Sequence, residues 1–300
     1  MTKKVIILLS TYNGEKYLEE QLESILKQDY RVTALFIRDD GSTDGTVDIL
    51  EKYAKIDPRI AYYVGSNIGA SNSFFELIEQ CKINADYYAF SDQDDVWLSN
   101  KLSKALKILS QNENIPYLYC SEPNIVNEKL ESIKPPFQYN NIKLDFRNAL
   151  VENMCTGCTA VLNKKLFELL QVKRPNFAIM HDFWFYLVAS CFGTVYRDNE
   201  SYVLYRQHQN NVIGVSRGIF FHYLKRIKNF NRNRSLLYLQ AKELQNIYSL
   251  EDVNKEILKD FLLSKTSFSY RIKILYKKEL FRQNKLDNLI MKVLLILGLL

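Results

Sequence analysis

No GxGxxG follows the first apolar run of this chain, and no GxxxxGK[ST] occurs anywhere in its 300 residues. The first absence removes the main support for a dinucleotide-binding dehydrogenase, and the second excludes a P-loop nucleotidase. Five cysteines (Cys81, Cys120, Cys155, Cys158 and Cys191) are scattered and odd in number, which argues against a disulfide framework. Cys155 and Cys158 form one CxxC. With no second pair and no nearby histidine, it reads as buried small residues rather than half a zinc site. The opening MTKKVIILLS holds too short an apolar run for a secretory signal, so the chain is expected to start in the cytoplasm. No apolar stretch approaches the roughly twenty residues of a spanning helix. Low-complexity segments and internal repeats are missing too, which leaves one large domain, or a domain with an appendage.

Against these absences stands a regular alternation. KKVIILL (3–9) reads as a parallel strand buried on both faces. A helix from about Glu15 to Lys27 follows, with Leu18, Leu22 and Ile25 at helical spacing. The pattern repeats with strand 34–40 and helix 44–55, strand 59–64 and a helix ending near Cys81, then strand 86–90. Beyond it come a helix from Ser99 to Ser110, strand 117–122, a loop from Asn124 to Asp145 holding Pro135-Pro136, strand 155–162, and helix 164–170. An apolar helix over 180–193 and two strands, 194–197 and 201–206, complete the series. Alternating strands and helices predict an α/β fold with a mostly parallel sheet and helices on both faces. Ligands of such sheets bind outside the carboxyl ends of the strands. Thr11, Asp39, Asp40, Asn67, Asp92 and Asp94 all fall there.

The densest chemistry is SDQDDVW (91–97), where Asp92, Asp94 and Asp95 occupy three of four positions behind an apolar strand. Carboxylates packed so closely repel unless a cation sits among them. A hard divalent ion that shares its shell with substrate phosphates suits such a cluster. The rival reading is an acidic loop capping the helix that begins near Ser99.

The order of motifs is itself informative. STYNGEKYLEEQLESIL, DDGSTDGT, SNIGASNSF, SDQDDVW, TGCTAVLN, HDFW and YRQHQNNVIG follow one another between about residues 4 and 214. The set resembles family 2 glycosyltransferases with the nucleotide-sugar-binding GT-A fold, and more narrowly the bacterial rhamnosyltransferases of cell-wall and capsular polysaccharides. The resemblance implies a glycosyltransferase domain over 1–214 and an inverting, metal-dependent transfer. It places Ser10, Thr11, Tyr12, Asp39, Asp40, Asn67, Gly69, Ser71 and Asp92 at the donor nucleotide. A carboxylate accepting the pyrimidine N3–H favours uracil or thymine over cytosine. The metal, Mg²⁺ or Mn²⁺, falls to Asp94 and His208, and the catalytic base to Asp182. Trp97, Gly157, Cys158, His181 and Trp184 are assigned to a sugar or acceptor pocket. Each assignment has a plain rival: core packing for the tryptophans, a helix cap for Asp182, an ordinary core or surface residue for His208. One of Asp39 and Asp40 is expected to cap the turn into the next helix.

Residues 215–300 form the second expected part, a basic, amphipathic helical region. From Gly218 to Leu300 there are 16 Lys and Arg against 7 Asp and Glu, a surplus of 9. Aromatic and aliphatic residues interleave with these cations, and LIMKVLLILGLL (289–300) carries one charge, Lys292. This composition reads as a surface for anionic lipid, with a solvated bundle or an oligomer contact as alternatives. No nucleic-acid-binding motif accompanies the basic charge. The expected partners are a dTDP-rhamnose or UDP-sugar donor and a polyprenyl-linked saccharide acceptor at the inner membrane face. Two rival classes remain: a sugar-1-phosphate nucleotidyltransferase, for which STYNGEKY lacks the basic glycine-rich loop, and a non-catalytic membrane-bound scaffold subunit.

Overall fold

A computed structural model describes residues 3–134, 142–208 and 235–300. Pro135-Pro136, the end of YRQHQNNVIG (209–214) and the first stretch of the basic region (215–234) lie outside the described residues. The chain divides into two compact units. The first comprises Met1–Lys134, Cys155–Arg174 and Gly193–Gly214; the second comprises Pro135–Met154, Pro175–Phe192 and Val215–Leu300.

The first unit is built on an eight-stranded mixed sheet flanked by helices. Its strands are β1 (Val5–Thr11), β2 (Ala34–Asp39), β3 (Ile60–Val64), β4 (Tyr87–Ser91), β5 (Val96–Trp97), β6 (Tyr117–Val126), β7 (Val161–Asn163) and β8 (Thr194–Arg206), in the order β3-β2-β1-β4-β7-β6-β8-β5. β3, β2, β1 and β4 pair in parallel. Every residue of β1 is buried, as a continuous apolar run in a parallel sheet requires. Helices α1 (Leu18–Leu26), α2 (Thr46–Ile56), α3 (Ala70–Gln80), α4 (Lys101–Leu109) and α6 (Lys164–Leu170) also belong to this unit. Leu18, Leu22 and Ile25 of α1 pack with Val5, Ile7, Leu9, Leu35 and Ile37 in the core. Each such side chain contributes about 1.5–3 kcal/mol.

Three elements differ from the sequence expectation. Residues 155–162 are not one strand: Gly157–Thr159 make a 3-10 turn, and only Val161–Asn163 pair. Thr156 O accepts both the Thr159 amide (2.9 Å) and the Thr159 hydroxyl (2.8 Å), a local bond that competes with the ladder. The strands expected at 194–197 and 201–206 are a single strand, β8. The polar Asp198–Glu200 step is an irregularity within it, where Asp198 Oδ1 accepts the Glu200 amide at 3.0 Å. β6 likewise runs on to Val126, into the stretch read as loop.

β8 does the most to position the site. It pairs in parallel with β6 and antiparallel with β5, in the register Val96↔Leu204 and Trp97↔Val203. The residues just before β5 are therefore set opposite those at the end of β8.

The second unit is helical. It holds the short α5 (Phe146–Ala149), α7 (His181–Phe192), α8 (Leu236–Ile247), α9 (Asp252–Ser264), α10 (Phe268–Lys277) and α11 (Lys285–Ile296). Phe183 to Ala189 of α7 are all buried, which explains why no amphipathic period is visible there. Among the described residues, no helix is long and apolar enough to cross a membrane.

Candidate active site

In the first unit the carboxyl ends of β1, β2 and β4 carry the polar residues together, as strand–helix alternation dictates. At the end of β1, Ser10 Oγ donates to Ser73 Oγ at 2.6 Å, and Thr11 Oγ1 donates to Gln93 Oε1. Gln93 also accepts the Tyr12 amide at 2.7 Å and donates Nε2 to the Tyr12 carbonyl at 3.0 Å. Gln93, the third residue of SDQDDVW, thus clamps STYNG to the acid loop. Gly14 follows because a Cβ there would meet Gln93 Oε1 and lie 2.8 Å from Thr11 Oγ1. Tyr12 itself stays exposed.

At the end of β2 the two acids divide their work. Asp39 caps the turn, accepting the Gly41 amide (3.1 Å), the Ser42 amide (2.8 Å) and the Ser42 hydroxyl. Asp40 reaches across to the next loop. It accepts the Ile68 amide (2.9 Å) and the Gly69 amide (2.8 Å) and pairs with Arg38. Arg38 in turn donates to the Ser66 carbonyl (2.9 Å) and Ser73 Oγ (3.1 Å). The loop bearing Asn67 and Gly69 is therefore fixed by a buried ion pair, while Asn67 and Gly69 themselves face solvent. Gly69 has φ +82, which favours glycine, and the space beside it is open to 4 Å. Ser71 sits half-buried in the first turn of α3.

At the end of β4 the acid cluster meets the end of β8. Asp94 Oδ2 lies 2.7 Å from His208 Nε2. Arg206 holds this arrangement. Its amide donates to Asp95 Oδ1 (3.1 Å), its Nε to the Asp94 carbonyl (2.9 Å), and its remaining guanidinium nitrogens to the Glu128 carbonyl and the Glu20 carboxylate. The Tyr17 ring packs beside both, 4.5 Å from the Arg206 guanidinium carbon and 5.1 Å from the imidazole centroid.

Behind this loop lies a buried ionisable layer. Burial, then the charges of Asp94 and Asp92, push the Asp95 carboxyl well above the usual carboxylate range. Burial also pushes the Cys158 thiol well up and the Lys101 ammonium well down. Lys101 Nζ lies 3.0 Å from the centroid of the Trp97 ring. Trp97 is itself a core residue, and Gly157 precedes Cys158 in the 3-10 turn.

Ligand atoms of Asp92, Asp95 and Cys158 all lie within 4.8 Å of one another. A thiol held protonated is a poor ligand, so this trio does not suit a hard cation. Asp94 and His208, with Asp92 close by on the same loop, fit Mg²⁺ or Mn²⁺ better, since hard and borderline divalent ions take carboxylate oxygens and imidazole nitrogen. A cation bound there would also offset the charges of Asp94 and Asp92, which add to the effect of burial on Asp95.

His181, Asp182 and Trp184 lie in α7, within the second unit. His181 and Trp184 are buried, and burial lowers the His181 imidazole to about 3. Asp182 occupies the first turn, and its Oδ1 accepts the Phe183 amide at 2.7 Å. The Trp184 ring sits 6.4 Å from that of Tyr248.

Sequence reasoning assigned no role to Gln93, Arg206, Tyr17 or Lys101. Gln93 and Arg206 stand inside the quoted motifs, beside residues that were assigned. Nothing in the sequence marks Lys101 as a buried lysine.

The family model for glycosyl transferase family 2 matches residues 6–170. A dTDP-rhamnosyl transferase, RfbG of Shigella flexneri, is 33% identical over 225 residues, 69% of this chain and 74% of its own. A putative teichuronic acid biosynthesis glycosyltransferase, TuaG of Bacillus subtilis, is 30% identical over 211 residues, 69% of this chain and 81% of its own. Among solved structures, S. aureus TarS 1-349 in complex with UDP superposes with a TM-score of 0.60 at 19% identity, over 87% of this chain and 71% of that one. A mannosyltransferase from Pyrobaculum calidifontis, in complex with GDP-Man and Mn2+, gives 0.55 at 16% identity, over 92% and 76%.

Proposed function

The chain belongs to glycosyl transferase family 2, and from that premise we propose an inverting, metal-dependent transferase that moves L-rhamnose from dTDP-rhamnose onto a lipid-linked polysaccharide precursor. The observation that carries the reading is the approach of Asp94 and His208, 114 residues apart in the sequence, to 2.7 Å at a crowded acid loop. The donor choice is supported by the 33% identical dTDP-rhamnosyl transferase. A UDP-sugar donor is the second reading, because a carboxylate acceptor treats uracil and thymine alike.

In this reading Asp39 faces the base, and the loop 65–71 held by Asp40 lies along the ribose and phosphates. Asp94 and His208 would hold the divalent ion, which when bound would offset charge on the leaving diphosphate. Asp182 accepts the proton of the attacking acceptor hydroxyl.

The residues of 215–300 serve at the membrane in the same reading. On α10, Phe268, Ile272 and Tyr276 are exposed at four-residue spacing; on α11, Leu286, Leu289, Val293 and Ile296 are exposed at spacings of three and four. Residues so spaced share one helix face. Exposed apolar faces flanked by cations suit an interfacial helix. The chain then works as a peripheral protein on the inner face of the cell membrane.

The test replaces Asp182 by Asn. Donor hydrolysis and transfer are expected to fall by about 10²–10⁴-fold, with the thermal shift given by nucleotide and Mn²⁺ unchanged. Full activity in D182N sinks the assignment of the base. No thermal shift with dTDP, UDP or their sugars would bring the scaffold reading forward.

A further inference from the structure

The second unit contains an open cavity of about 420 Å³ lined by Lys143, Asp145, Arg147, Lys278, Arg282 and Gln283, with Phe281 and Asn288 also in its wall. Four cationic side chains and one anionic side chain face it. The anion is already committed: Asp145 Oδ1 caps α5 through the Asn148 amide (3.1 Å), and Oδ2 pairs with Arg147 (2.8 Å). Lys143 and Lys278 make no ion pair among the described residues.

The walls are built rather than incidental. The Lys143 amide donates to Gln283 Oε1 (3.1 Å), and Gln283 Nε2 donates back to the Lys143 carbonyl (2.6 Å). The Gln283 amide donates to Glu152 (2.7 Å). Asn148 Nδ2 donates both to Glu152 (2.9 Å) and to the Phe281 carbonyl (3.0 Å). Lys278 ends α10 in the left-handed region, φ 53, an unfavourable conformation for a side-chain-bearing residue. The loop from Lys278 to Gln283 is thereby held against α5 with its cations on one concave surface. Asp145 offsets Arg147 and Glu152 acts on Arg282, so it is the charges of Lys143 and Lys278, held on one concave surface, that an added anion would offset. The volume admits a group the size of several waters, and lysine and arginine together recognise phosphate oxygens.

We propose that this cavity binds the phosphate or diphosphate group of a lipid-borne ligand. The assignment to a lipid rests on the membrane reading above; the anion chemistry does not. Two sources share that chemistry: the headgroup phosphate of an anionic phospholipid, and the phosphate of a polyprenyl carrier.

The test uses the full chain, with chelator present so that divalent ions do not contribute. Inorganic pyrophosphate is titrated calorimetrically at low salt into the unaltered protein and into the double variant K143Q/K278Q. The expected result is a loss of affinity of about tenfold or more, since each lost contact is a charge-assisted hydrogen bond. K143R/K278R, which keeps both charges, is expected to bind within a few-fold of the unaltered chain. It keeps the test decisive if the glutamine variant folds poorly. Equal affinity in all three, or no binding in any, overturns the proposal. Phosphatidylcholine vesicles carrying either phosphatidylglycerol or polyprenyl phosphate then separate the sources. A loss of retention by K143Q/K278Q on polyprenyl phosphate alone assigns the carrier; an equal loss on both assigns lipid phosphate in general. Retention unaffected on both overturns the lipid assignment. Donor hydrolysis by the unaltered chain is measured alongside. Its absence counts against the transferase reading, whereas hydrolysis without pyrophosphate binding removes the cavity proposal alone.

Discussion

Replacing Asp40 by Asn tests the claim that a buried ion pair holds the loop between β3 and α3. The side chains of Arg38 and Asp40 are 1% and 3% exposed. Asparagine keeps the shape of the side chain but removes its charge. It can also offer only one acceptor oxygen where Asp40 uses both, for Arg38 and the Ile68 amide on one side and the Gly69 amide on the other. The buried guanidinium then keeps only the more distant carboxylate of Glu76, 3.7 Å from Nε, and removing one partner of a buried pair typically costs about 3–5 kcal/mol. At roughly 2–4 °C per kcal/mol for a domain of this size, the melting temperature should fall by about 6–20 °C. Thermal unfolding followed by circular dichroism measures it. A double variant, R38M/D40N, supplies the control: it keeps an acceptor oxygen for the loop amides and removes the guanidinium that D40N leaves poorly paired, so it should recover much of the loss. A D40N protein that melts within about 2 °C of the unaltered chain refutes the reasoning.

Two further outcomes are expected. His208→Ala should remove most of the Mn²⁺-dependent part of the thermal shift given by dTDP or UDP, because stabilisation follows affinity by mass action; an undiminished shift removes His208 from the metal site. His181 governs a pH effect. Its imidazole sits at about 3 in the folded chain against roughly 6.5 unfolded, so the unfolded chain binds the extra proton between those values. Stability is full above pH 6.5 and falls towards pH 3. The loss at pH 5 is roughly 2 kcal/mol. His181→Phe should flatten that slope in denaturant titrations at pH 5 and 7.5, and an unchanged slope places the acid sensitivity elsewhere.

The first half of the fold was legible because β1 to β4 are continuous apolar runs ending in polar residues, a pattern that only a buried, mainly parallel sheet explains. Legibility ended where local chemistry competes with the ladder. Thr156 and Thr159 turn a β-like stretch into a 3-10 turn, and Asp198 bends a strand without ending it. Within the candidate site, the motifs single out Asp94 and His208, and the structure sets the two side chains 2.7 Å apart. The partners that hold them were not legible: Arg206 makes four kinds of bond at once, and which carboxylate or carbonyl it meets depends on the β5–β8 register. Lys101 sits at a position in α4 where a lysine ordinarily reaches solvent, and only the packing of Trp97 over it shows otherwise.

The β5–β8 pairing also has a consequence in time. Asp94 and His208 are separated by 114 residues, and Arg206, which braces the loop, is made almost as late. At about 5–20 residues per second the ribosome needs roughly 6–23 s to pass from one to the other. Through that interval the nascent chain carries Asp92, Asp94 and Asp95 with neither the guanidinium nor the imidazole that later meets them. The parallel core of β1 to β4 is complete in sequence by Ser91, but its acid loop must wait for the last strand of the sheet.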